Sequence, residues 1–133
     1  MFNHIMVGSN DLDRSRIFYN AVLGTLGFSG EPVRHVAASG HVRLFYRHNG
    51  GSFGVSQPIN DAPATFANGG TIGFKCESAE QVTAFHDAGV AHGGTSIEDP
   101  PGARDGGALG VAHVSYLRDP DGNKLCAIWR PQA

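Results

Sequence analysis

The two halves of this chain repeat the same order of predicted elements, and this repeat limits the possible folds more than any other feature. An offset of 67 residues places Ile5 on Ile72 and Phe18 on Phe85. Each half predicts one strand, one helix and three further strands, from its β-prone runs and helix-capping residues. A single half would leave the apolar face of its sheet bare. We therefore expect the two halves to pack together or to close around a shared cavity.

The first half shows clear starts and stops. Residues 2–8 form a β-prone run, and Ser9, Asn10 and Asp11 supply helix N-cap chemistry. Apolar residues then recur at helical spacing up to Gly24, which can end the helix. Further β-prone runs cover residues 33–38, 41–48 and 52–57, and residues 58–70 have the Pro, Gly and Asn content of a linker.

The second half restarts the pattern with a β-prone run at residues 71–76. Ser78 and Gln81 have the spacing of a capping box, and an apolar stripe follows until Gly89, which can stop the helix. Residues 90–97 are again β-prone. The Pro/Gly-rich segment 98–110 predicts a long loop without secondary structure, which is typical of lids and binding loops.

The most specific turn signal is Asp119-Pro-Asp-Gly-Asn123. Pro120 presets φ for a turn, Gly122 can take a positive φ, and the Asp and Asn side chains can bond their own backbone. Residues 111–117 and 124–129 on either side are rich in strand formers. This stretch predicts a β-hairpin that closes the chain.

Composition excludes several classes of protein. The 133 residues suit one domain, and the net charge of −2 gives no reason to expect a nucleic-acid partner. No apolar run approaches the roughly 18 residues of a membrane span, and the N-terminus lacks a signal-peptide pattern. Cys76 and Cys126 form no CxxC pair, which argues against a disulfide framework or zinc ribbon. We expect a reduced, cytoplasmic protein without a membrane partner.

Several stretches resemble the glyoxalase/bleomycin resistance protein/extradiol dioxygenase (vicinal oxygen chelate) superfamily. They are His4, Asn10-Asp11-Leu12 and Phe18-Tyr19 in the first half, and Asn68-Gly69-Gly70 and Arg118-Asp119-Pro120-Asp121-Gly122-Asn123-Lys124 in the second. The resemblance implies an α+β fold of two βαβββ modules, residues 1–58 and 68–131, joined by a linker at 59–67. It also implies curved mixed sheets that form a cup, and a homodimer.

The resemblance also implies where a metal would lie in the cup. The family's ligand positions fall on His4, Thr71, Cys126 and either Gly54 or Phe53. Only His4 is an ordinary ligand for Zn, Ni, Fe or Mn, and it is a weak candidate by itself, so a divalent metal is disfavoured. The alternative is a metal-dependent lyase or dioxygenase that uses His4 with non-standard ligands. His4, Thr71, His113 and Cys126 are the predicted substrate-binding residues.

Each of these residues also has a structural interpretation. His4 can simply open a strand and bond a backbone carbonyl, and Cys126 can be a small buried residue. A nucleophilic Cys126 would need a nearby base, which His113 across the hairpin could supply. His41, Arg43 and Arg47 share one strand face, which is either solvated or suited to an anionic substrate.

The resemblance predicts a glyoxalase-like protein that binds a small organic molecule in the cup. It could be a lyase of the lactoylglutathione-lyase type, an isomerase or a dioxygenase-related enzyme with a degenerate metal site. The alternative is a non-catalytic protein that sequesters its ligand, as drug-resistance members do. Fold alone does not choose between these functions.

Overall fold

The computed structural model describes residues 1–131 and consists of two similar halves. The first half contains β1 (His4–Gly8), α1 (Leu12–Gly24), β2 (Val33–Val36), β3 (Val42–His48) and β4 (Gly51–Ser56). The second contains β5 (Ile72–Lys75), α2 (Ala79–Ala91), β6 (Thr95–Ser96), β7 (Gly102–Asp105), β8 (Val111–Arg118) and β9 (Lys124–Trp129). Two helices and two mixed sheets confirm the predicted α+β fold class.

The two sheets have the same plan. Sheet A has the order β1-β4-β3-β2, and sheet B has the order β5-β9-β8-β6 with β7 also paired to β8. In each sheet the first strand runs parallel to the last strand of its half, and the remaining pairs are antiparallel. Ile5 pairs with Phe53, and its repeat partner Ile72 pairs with Leu125. The register therefore supports the repeat that the sequence predicts.

Both helices begin where their capping residues predict. The Asp11 side chain accepts a hydrogen bond from the backbone N–H of Arg14. The Ser78 side chain likewise accepts from the N–H of Gln81, whose side chain accepts in turn from the N–H of Glu77. Each bond satisfies a backbone donor that lacks a partner within the first helical turn.

Two predictions in the second half were wrong. The helix does not stop at Gly89 but runs to Ala91, so most of the run predicted as strand at 90–97 is helical or loop. A Cβ on Gly89 would lie 2.3 Å from Leu117 Cδ1 and 3.2 Å from Phe18 Cε2, so the glycine permits close packing inside the helix. The segment 98–110 is not devoid of structure, because β7 pairs with β8 and a short 3₁₀ helix follows at Gly107–Leu109.

The main hydrophobic core lies between the two sheets. It includes side chains from both helices and both sheets: Phe18, Tyr19, Val22, Tyr46, Phe53, Val82, Phe85, Leu117 and Leu125. Neither helix of the described chain has the length and hydrophobicity needed to span a bilayer.

The closing hairpin forms as predicted and also joins the two halves. Its Asp119–Asn123 turn contacts α1, whose Tyr19 hydroxyl donates a 2.5 Å hydrogen bond to the buried Asp119 carboxylate. Asn123 donates to the same carboxylate at 2.8 Å, and Asp121 accepts from Arg14 at 2.8 Å. Burial raises the pKa of Asp119, and the bonds from Tyr19 and Asn123 oppose that shift. These turn residues therefore connect sheet B to α1.

Candidate functional site

Each sheet has a covered face, against which its helix packs, and an opposite face that we call the open face. Partners in register share a face because side chains alternate along a strand. The open face of sheet A carries His4, Met6, Arg43, Phe45, Arg47, Ser52, Gly54 and Ser56. The open face of sheet B carries Gly73, Lys75, Arg104, Val114, Tyr116, Lys124, Cys126 and Ile128.

The two open faces point to the outside of the chain, because the covered faces share one core. The ring of Phe53 in sheet A lies 5.4 Å from the ring of Phe74 in sheet B, which lies 5.3 Å from Phe85 of α2. His4 and Cys126 lie on the open faces of different sheets. A single chain therefore does not bring these two residues together in one cavity.

The open face of sheet A borders a pocket of about 560 Å³. Its walls are the outward side chains of sheet A, among them His4, Met6, Arg43 and Ser56, and the start of the linker, from Pro58 to Thr65. His4 is exposed, and its Nδ1 lies 2.8 Å from the Asn3 side-chain oxygen. Of the predicted ligand residues, His4 is the one that lines this pocket.

Arg43 lines the pocket but was not among the predicted substrate-binding residues. Its Nε is buried, and within residues 1–131 it has no hydrogen-bond partner. The ion pairs of the described chain involve neither Arg43 nor Arg47. Their spacing on one strand was a visible signal, but the sequence did not reveal that this face is the open one.

Cys126 lies on the open face of sheet B, 5% exposed, in a small apolar cluster with Ala112, Val114, Tyr116 and Ile128. Burial raises the pKa of its thiol. The thiol is therefore the dominant form near neutral pH, which suits a packing residue better than a nucleophile or a thiolate ligand.

The register does not place His113 beside Cys126, where it could have acted as a base. His113 pairs with Trp129, and their ring centroids are 5.6 Å apart on the covered side of sheet B. Tyr116 is the residue directly opposite Cys126. His113 and Tyr116 face opposite sides of β8 because side chains alternate, so the register decides which of them shares a face with Cys126.

Thr71 lies directly before β5 and is exposed. Strand alternation places it on the same side as Gly73, the open face of sheet B. Thr71 and Cys126 therefore share the open face of sheet B. His4 lies on sheet A, and His113 lies on the covered side of sheet B.

The family's metal positions do not provide a suitable ligand set here. Gly54 has no side chain, and a Cβ added there would lie 2.9 Å from Met6 Cε and 3.3 Å from Phe45 Cε1. Thr71 offers a neutral hydroxyl, and the thiol of Cys126 has a raised pKa. No three His, Cys, Asp or Glu side chains of residues 1–131 come together as a metal site. His4 alone would be an ordinary ligand.

The sequence model of the Glyoxalase/Bleomycin resistance protein/Dioxygenase superfamily matches residues 1–127. A glyoxalase/bleomycin resistance protein from Albidiferax ferrireducens T118 is 54% identical, with a TM-score of 0.88 over 98% of this chain and 99% of that one. No curated protein matches the sequence.

Two more distant solved structures share the fold. A glyoxalase-related enzyme from Fulvimarina pelagi is 21% identical, with a TM-score of 0.70 over 98% of this chain and 88% of that chain. A lactoylglutathione lyase from Agrobacterium tumefaciens is 18% identical, with a TM-score of 0.62 over 97% and 92%. Together with the match across residues 1–127, the doubled βαβββ plan shows that this chain belongs to the glyoxalase/bleomycin resistance protein/dioxygenase superfamily.

Proposed function

We propose that this protein is a homodimer that binds a small organic molecule between two chains. The open face of sheet A from one copy and the open face of sheet B from the other would form each cup. The observation that carries this proposal is the outward direction of both open faces. Each is half of a cup that its own chain does not complete.

The two open faces have complementary surfaces. Sheet B offers an apolar wall around Val114, Cys126 and Ile128. Sheet A offers polar and charged groups, including His4 and Arg43, beside the pocket under the linker. Ligand pockets commonly combine a mostly apolar lining with a few placed polar groups, which is what this pairing would produce.

Binding and sequestration agree with the site better than metal-dependent catalysis does. Among the family's four ligand positions, Gly54 contributes no donor and Thr71 contributes a neutral one. Cys126 is a buried thiol with a raised pKa. A lyase or dioxygenase that needs a resident metal would lack the donors to hold it.

A mixing experiment tests whether two chains form one cup. Met6→Trp fills the open face of sheet A, and Ile128→Trp fills that of sheet B. Each variant alone should lose binding, because every cup in its homodimer contains one filled face. Unfolding and refolding the two variants together should restore about one intact cup per heterodimer, because that cup takes both of its faces from unchanged halves.

The probe is the tightest-binding member of a panel of three acids and their neutral partners. The acids are benzoate, phenylacetate and phenylphosphonate, and their neutral partners are benzamide, phenylacetamide and dimethyl phenylphosphonate. Binding is measured by ligand-observed NMR, and circular dichroism checks that each variant is folded. Cups built within one chain would contain a filled face in every combination. Failure of mixing to restore binding would therefore contradict the proposal.

A further inference from the structure

The charges of this protein are strongly segregated between the sheet faces. The strands contain seven of the ten Lys and Arg residues and one of the twelve Asp and Glu residues. Six of those seven cations lie at open-face positions: Arg43, Arg47, Lys75, Arg104, Arg118 and Lys124. The one carboxylate, Asp105, pairs with Val111 and so lies on the other face. This cationic surface belongs to a protein with a net charge of −2.

The cations of sheet B mostly have a partner within the chain. Lys124 forms an ion pair with Glu98, Arg104 donates to the Pro100 carbonyl, and Arg118 donates to the Gly122 carbonyl. Arg43 and Arg47 on sheet A are different, because no ion pair of the described chain includes them. Lys75 resembles them in this respect, but it lies alone on β5 at the edge of sheet B. The open face of sheet A therefore carries two guanidinium groups that have no ion pair or hydrogen-bond partner within residues 1–131.

Arg43 has the strongest need for a partner. Its Nε is removed from solvent, and an unpaired donor on a charged group is expensive to bury. The side chain borders the pocket of about 560 Å³ together with His4, Ser56 and Asn60. The linker carboxylate of Asp61 is hydrogen-bonded to His41 instead, at 2.8 Å.

We propose that the ligand of this site is a small organic anion, a carboxylate or phosphonate, and that Arg43 is the residue that selects it. This inference rests on the proposed function, because it names the chemical class of ligand for the same open face. A guanidinium can present two parallel N–H donors to such a group, which a Lys cannot do. Arg47 and His4 lie in the same register row of this face, two rows from Arg43, and add positive potential and a hydrogen-bonding group.

The test compares each acid of the panel with its neutral partner. The acids should bind at least about tenfold more tightly than the amides or the ester, the difference expected for a charge-assisted bond. The Nε–H resonance of Arg43 should shift on titration with an acid, as followed by ¹⁵N NMR. Raising the salt concentration should weaken the binding of the acids and leave the binding of the neutral compounds unchanged.

Arg43→Met should abolish the preference for acids, and Arg43→Lys should retain part of it. Arg34→Met is the matched control, because this substitution removes the same charge from a position outside the open face. Arg34 lies on the neighbouring strand β2 and pairs with Leu44 on the covered side. It should leave the preference intact.

Equal binding of acids and neutral partners would overturn the anion inference and leave the proposed function standing. Equal weakening of acid binding by Arg43→Met and Arg34→Met would also overturn the anion inference. The proposed function would again remain standing. If no member of the panel binds, the proposed function fails and this inference fails with it.

Discussion

The covered faces and the open faces of the same two sheets carry different chemistry. The covered faces hold the aromatic core, in which Tyr19, Phe53, Phe74 and Phe85 form a continuous series of ring contacts. The open faces hold most of the strand cations and the pocket under the linker. Because side chains alternate along a strand, stability and ligand recognition can occupy opposite sides of one sheet. Changes on one face should therefore leave the property of the other face largely intact.

The largest expected difference between the faces is in stability. Phe85→Ala on the covered face should lower the free energy of unfolding by about 3–5 kcal/mol, because it opens a cavity in a fully buried core. Phe45→Ala on the open face should lower it by only about 1 kcal/mol. Chemical denaturation at one fixed chain concentration measures both. Equal losses would contradict the division between the faces.

The next largest effect concerns the bond between the hairpin and α1. Tyr19→Phe removes a donor that lowers the pKa of Asp119, so this pKa should rise further in the folded protein. When the folded-state pKa of an acid exceeds the unfolded value, stability falls as pH rises through that interval. The loss should therefore be about 1–3 kcal/mol at pH 7 and smaller at pH 3, below the usual Asp value of about 3.9.

Tyr46→Phe is the matched control for this pH dependence. The Tyr46 hydroxyl donates to the neutral side-chain oxygen of Asn20 at 2.8 Å. Its loss should cost similar stability at both pH values, as measured by denaturant titration. A pH-independent loss in Tyr19→Phe would show that the hydroxyl does not tune Asp119.

A smaller effect tests how closely the halves pack. Gly89→Ala places a methyl group against Leu117, Val22 and Phe18, and should destabilise by about 1–2 kcal/mol despite the better helix propensity of Ala. Gly24→Ala at the end of α1 meets no atom within 4 Å and should be neutral or stabilising by up to about 1 kcal/mol. Thermal unfolding of both variants measures the difference. A stabilised Gly89→Ala would mean that the contact between the helices is looser than described.

The smallest effect is expected for metal content. The positions on the open faces offer no suitable ligand set, so the untagged protein should retain no stoichiometric divalent ion after dialysis. His4→Ala should not change that result. Elemental analysis that finds close to one Zn, Ni, Fe or Mn per chain, lost in His4→Ala, would contradict this prediction.

Features set by local chemistry could be predicted from the sequence. The N-caps at Asp11 and Ser78 and the Asp119–Asn123 turn depend on bonds between near neighbours, and all three form where expected. The strand Gly102–Asp105 could not be predicted, because its pairing with β8 is a tertiary contact in a stretch rich in Gly and Pro. The helical position of Gly89 is also decided by tertiary packing.

The candidate site was harder to predict than the fold. His4 and Cys126, matched through the resemblance, both lie on open faces, whereas His113 lies on the covered side of sheet B, because a shift of one residue in register reverses the face. Arg43 was noticed on its strand face, but the sequence did not reveal that its Nε is buried beside the pocket. Burial of that kind is a property of the assembled fold.

The central claim is that one chain carries two halves of different cups. Light scattering on the purified protein at about 50 µM tests this most directly. We predict a mass about twice the 14.0 kDa of the chain, reduced to that of a single chain in Ile128→Arg, which places a charge in the apolar cluster on the open face of sheet B. A wild-type protein that remains a 14.0 kDa monomer at this concentration would contradict the account.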